Sequence, residues 1–120
     1  VAGTSTVSSG FTCAVTVWRG SSLPDRYRGG TFSCDPTGNL VRADRLEKSG
    51  ATFAAKRMHE GKEALRSRDN WFRPVEARTG PDGALWVVDM YRFVIEHPRW
   101  ISPERLARLD PRAGDRQGMC

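Results

Sequence analysis

No apolar run in this sequence approaches the ~20 residues that a membrane-spanning helix needs, so no span is expected. No heptad survives the Gly and Pro punctuation, which excludes a coiled coil. Lysine is scarce, with three Lys against 16 Arg. The net charge is +5, but it is spread: 8 basic and 5 acidic residues in 1–60, then 11 and 9 in 61–120. A nucleic-acid partner calls for basic residues gathered on one face. A scattered, mixed-sign surface predicts none. Histidine is limited to His59 and His97, and no HxH, HExxH or EF-hand spacing offers a metal cage. GxSxG, SxxK, Walker and GxGxxG signatures are all missing. Cysteine occurs three times, at Cys13, Cys34 and Cys120, without CxxC or CxxCH, so neither a zinc ribbon nor haem c attachment is expected within this chain. Residues 1–10 have neither the charged nor the apolar part of a targeting signal.

What is present is short, turn-separated and β-like. The 11 aromatics, four of them Trp, sit within short apolar runs, which argues against disorder. FTCAVTVW (11–18) alternates. Phe11, Cys13, Val15 and Val17 are expected on one face and Thr12, Ala14, Thr16 and Trp18 on the other. TFSCD (31–35), LVRADRL (40–46) and ATFAAKR (51–57) follow at a meander's spacing, divided by PTGN (36–39) and Ser49-Gly50. Residues 60–68 read as weakly helical. Strands are expected near 73–79 and 84–90, with Pro74 at a strand start or edge and GPDG (80–83) as the turn between them. Ser102, Pro103 and Glu104 write a helix start, with Ile101 and Leu106 as a staple and Asp110-Pro111 stopping it after about two turns. The predicted class is all-β and mainly antiparallel, with one short helix near the C-terminus and no parallel sheet. Residues 1–10 form a Ser/Thr/Gly-rich start and residues 11–120 a partial domain.

Cys13 and Cys34 both fall in strand-like runs, compatible with a disulfide or with two buried thiols. The densest polar chemistry lies in Asp69-Asn70-Trp71-Phe72-Arg73 and Asp89-Met90-Tyr91-Arg92, each with acid, aromatic and Arg at a strand end. Such residues can line a polar pocket at the mouth of a β fold. Structurally, Asp89 can instead cap the following turn, Arg73 can pair with it, and the aromatics can be core. A hairpin about GPDG places Arg73 near Asp89, Met90 or Tyr91, at the end opposite Pro81-Asp82.

PVEARTGPDGALWVVDMYR (74–92) resembles an NHL-type β-propeller repeat. The longer runs LPDRYRGGTFSCDPTGNLVRADRLEKSGATF (23–53) and SRDNWFRPVEARTGPDGALWVVDMYRFVIEHPRWISPERLARLDPRAGD (67–115) resemble the membrane-bound dehydrogenase domain of large exported bacterial proteins. That domain often stands beside a separate haem c domain with a CxxCH motif. It is similar to the glucose/sorbosone dehydrogenases, six-bladed propellers that in some members use pyrroloquinoline quinone and calcium. The resemblance spans about residues 10–116. It implies roughly two blades, a C-terminal fragment whose partners are the remaining blades, and an exported protein. The implied reaction is oxidation of a sugar or alcohol, with a cytochrome c domain as electron acceptor. No cofactor is expected within the fragment itself. Asp69, Asn70 and Asp89 are then expected to orient substrate or a cation. Arg73 and Arg92 are expected to hold an anionic group, and Trp71 and Tyr91 to stack on a ring. Neither His59 nor His97 lies in a motif matching the His base of the quinoprotein relatives. The rival reading is a non-catalytic NHL-like propeller that binds protein or glycan.

Overall fold

A computed structural model describes residues 12–114. The Ser/Thr/Gly-rich start, Phe11 and Cys120 lie outside the described residues. Seven antiparallel strands form two sheets: β1 (Cys13–Val17), β2 (Thr31–Asp35), β3 (Leu40–Ser49), β4 (Thr52–Arg57), β5 (Leu65–Arg66), β6 (Pro74–Thr79) and β7 (Leu85–Asp89). The first sheet runs β1-β2-β3-β4 in sequence order, with β5 also pairing β3, and the second is the β6-β7 hairpin. The described chain is therefore mostly antiparallel β, with α1 (Pro103–Leu106) as its one α-helix.

Alternation on β2 and β3 creates the core. Phe32 faces Ala43 and Cys34 faces Val41 across the ladder, and all four are buried. β6 packs over β1 and β2 and adds Ala77. Trp18 completes the cluster, edge-on to Phe32 at 6.1 Å, and Tyr27 stacks on the same ring at 5.9 Å. Tyr27 Oη also shares a 2.8 Å hydrogen bond with His59 Nε2. The 80–83 turn also meets the loop after β1, where the Gly83 carbonyl accepts from the Ser21 and Ser22 N–H groups at 3.2 and 3.1 Å.

Three expectations are corrected. The alternation in β1 breaks at a bulge, because Cys13 pairs Cys34 but Val15 pairs Ser33. One extra residue, Ala14, reverses every later side chain. Val15 and Val17 are thus 62% and 42% exposed, and Trp18 is buried. Residues 60–68 contain no helix, because Leu65 and Arg66 are drawn out as β5 against Val41 and Leu40. The helix at Pro103 lasts four residues, not two turns. Ser102 makes no side-chain cap, and the Leu109 N–H already bonds Leu106 O in a tighter turn.

Cys13 and Cys34 are direct cross-strand partners on the core-facing side. Both are thiols here, in the register a cross-strand disulfide would use. Burial first, then the neighbouring Cys13 and Glu76, pushes the Cys34 thiol up from 9.0 to about 11. A raised thiol pKa means the folded state resists ionisation that the unfolded chain accepts. The associated stability is complete below pH 9.0 and is lost as pH rises through about 11. Urea unfolding of the reduced protein should show a loss on the order of 2 kcal/mol across that window. Cys34→Ala should flatten the slope; an equal slope in the variant would assign the loss to other groups.

Candidate functional site

The register Pro74↔Asp89 to Thr79↔Leu85 sets the start of β6 beside the end of β7. The polar residues that flank this hairpin therefore meet at its open end, away from the Pro81-Asp82 turn. Asp69, Trp71, Arg73, Asp89, Tyr91 and Arg92 all collect there.

They divide by what they touch. Asp89 Oδ1 accepts the backbone N–H of Arg73 and of Tyr91, each at 2.8 Å. It closes the ladder and caps the turn that follows it. The Arg73 guanidinium does not pair with that carboxylate. It donates to three backbone carbonyls, of Arg92 at 2.9 Å and of Pro36 and Phe93 at 2.8 Å each. Pro36 belongs to the β2-β3 turn, so this one side chain ties the first sheet to the segment leaving β7. Asn39 in the same turn adds a bond from Nδ2 to the Phe72 carbonyl.

A second group faces outward. Asp69 Oδ1 accepts the Trp71 N–H at 2.9 Å, and Oδ2 accepts the Tyr91 hydroxyl at 3.1 Å. Ser67 Oγ steadies the loop by accepting the Asp69 N–H at 3.0 Å. Trp71 lies 5.7 Å from the Tyr91 ring and 6.0 Å from Phe93. Asp69 is exposed, and the two paired rings are half-buried. The hydrogen bond to Asp69 and then its charge hold the Tyr91 phenol above its ordinary range. At neutral pH this hydroxyl therefore stays a donor.

Two backbone features shape this surface. Tyr91 has φ +48, a left-handed conformation that an aromatic residue rarely adopts. The N–H bond to Asp89 holds it there. Such strain concentrates at functional positions. Gly114 closes the far side, where a Cβ would come within 2.6 Å of Tyr91 O and 3.2 Å of the Trp71 ring. Asn70 stands apart and lines a neighbouring hollow with Asn39, Arg66, Ser67 and Arg68.

The sequence places Asp69, Arg73, Asp89 and Arg92 at one end of the hairpin, where the structure brings them together, and does not point to Phe93, Pro36, Asn39 or Gly114. Asn39 was visible as a turn residue, but nothing in PTGN says that the turn anchors the segment entering β6, 33 residues away. Each Asp69 oxygen retains acceptor capacity beyond the bond it makes. An aromatic face can stack on an apolar C–H surface while the carboxylate beside it accepts from hydroxyl groups.

A family model described as a domain of unknown function, DUF7133, matches residues 4–119. No curated protein and no solved structure matches the chain.

Proposed function

This chain belongs to the DUF7133 family, and we propose that it forms part of a propeller-type sugar or alcohol dehydrogenase of the glucose/sorbosone class. In this reading its two sheets belong to neighbouring blades, and the remaining blades complete the ring. The observation that carries the reading is the Asp69–Tyr91–Trp71 group. It offers carboxylate acceptors, a phenol and an indole face on one surface. A polyhydroxylated ligand needs that combination, because its ring edges are polar and its ring faces are C–H.

The chain's share of the reaction is binding and orientation. The substrate's hydroxyls donate to Asp69, and Trp71 stacks on its carbon skeleton. Pyrroloquinoline quinone and calcium do not fit the residues described. The Arg73 guanidinium that would meet a quinone carboxylate is spent on three carbonyls. Among the described residues, no three His, Cys, Asp or Glu side chains gather into a cation cage. The hydroxyl proton acceptor, the cofactor and the cytochrome c acceptor belong in this reading to other parts of an exported parent.

A second reading is favoured by the same spent side chains. With Arg73 and Asp89 holding backbone, the outward surface serves equally as a glycan-binding face without chemistry. Sugar-dependent reduction of an artificial electron acceptor by the full-length holoprotein separates the two. The dehydrogenase reading predicts turnover, with Asp69→Asn raising KM about tenfold at little cost in kcat. Saturable sugar binding without turnover would select the binding module.

A further inference from the structure

The opposite, outward side of the first sheet is polar by alternation. Thr31, Ser33 and Asp35 on β2 pair directly with Asp44, Arg42 and Leu40 on β3. A polar sheet face normally lies open to water. Here Asp35 and Asp44 are only 3% and 5% exposed. Together with Ser33, Leu40, Arg42, Arg57, Glu63 and Arg66 they line a hollow of about 350 Å³.

Most of the charges in this hollow are already matched. Arg42 Nε pairs with Asp44 at 2.8 Å, and Arg57 pairs with Glu63 at 2.8 Å. Two charges remain. Asp35 Oδ1 accepts the Gly38 N–H at 2.9 Å, and Asp35 keeps acceptor capacity at Oδ2 where it lines the hollow. Arg66 makes no ion pair among the described residues. A nearly buried carboxylate is costly unless donors reach it. Leu40 is the register partner of both Asp35 and Arg66. The three therefore lie in one row across β2, β3 and β5, with the outer two backbones about 10 Å apart.

That row defines a ligand. At one end it needs hydrogen-bond donors, in the middle a C–H surface against Leu40, and at the other end an anion. A divalent cation would meet only one unmatched carboxylate. A phosphate would be repelled by Asp35. We propose that this hollow binds a small hydroxylated carboxylate, a hydroxy acid or sugar acid. Its hydroxyls donate to Asp35 Oδ2, and its carboxylate rests on the Arg66 guanidinium. This site lies apart from the Asp69 surface and does not rest on the dehydrogenase reading.

Calorimetric titration of the full-length Asp69→Asn variant, in which the outward sugar surface is weakened, tests it with gluconate, with glucose and acetate as comparison ligands. Gluconate is expected to bind saturably and at least about tenfold tighter than either, since each lacks one end of the required pattern. In that background Arg66→Ala and Asp35→Asn should each weaken gluconate about tenfold. Arg66 is exposed, so its variant keeps the test valid should Asp35→Asn fail to fold. Absence of saturable gluconate binding would overturn the proposal. So would an unchanged affinity when Arg66→Ala is added.

Discussion

Arg73→Ala is expected to lower the unfolding free energy by about 3 kcal/mol, the effect of removing several charge-assisted hydrogen bonds at once. The guanidinium reaches carbonyls of Pro36, Arg92 and Phe93. Alanine leaves all three without that donor, and water recovers only the part that is exposed. It also disconnects the β2-β3 turn from the segment after β7, so the effect should spread beyond the hairpin. The backbone N–H of residue 73 still bonds Asp89, so the ladder itself survives. Lysine has no planar fork and can serve only some of these carbonyls, so Arg73→Lys should recover less than half the loss. The check is the urea midpoint at constant m-value. A loss below about 1 kcal/mol would mean that the three bonds contribute little and that the residue is free for a ligand.

Gly20→Ala should be comparably damaging, by about 3 kcal/mol, through overpacking against groups that cannot move. A Cβ at this position would stand 2.3 Å from the Trp18 ring and 2.5 Å from the Gly83 carbonyl oxygen. Trp18 is fully buried among Phe32, Cys34 and Val41. Gly83 O is fixed by the Ser21 and Ser22 N–H groups. Neither can yield without opening the contact between the 80–83 turn and the loop after β1. Adding Trp18→Phe to Gly20→Ala shortens the ring that the Cβ strikes. The double variant should therefore lose less than the sum of the two single losses, as measured by thermal unfolding. Strict additivity would show that the ring is not the obstacle.

The parts of the fold that were legible in the sequence are those set by neighbours in the chain. TFSCD shows its strand because residue type alternates, and the Thr52–Arg57 run because a turn bounds it at meander spacing. The open end of the β6-β7 hairpin was legible because GPDG fixes the register and so brings Asp69 to Tyr91. What failed depends on distant partners. The bulge at Ala14 has no local signature, yet it turns Val15 and Val17 outward. β5 is two residues long and exists only because β3 has a free edge beside Leu40 and Val41. The partners of Arg73 come from segments up to 37 residues away and are backbone carbonyls, which carry no residue code. The row of Asp35, Leu40 and Arg66 was hidden for the same reason.

The central claim is a division of labour at the hairpin's open end, with Arg73 and Asp89 holding backbone and Asp69, Trp71 and Tyr91 facing a ligand. Glucose titration of the full-length protein and its Asp69→Asn variant, followed by intrinsic fluorescence, tests it most directly. Asp69 is exposed, so the substitution should move stability by less than about 1 kcal/mol. The account predicts that glucose affinity nonetheless falls about tenfold, the equivalent of one charge-assisted hydrogen bond. Equal affinity in the two proteins, or a loss of affinity matched by a loss of stability, would contradict it.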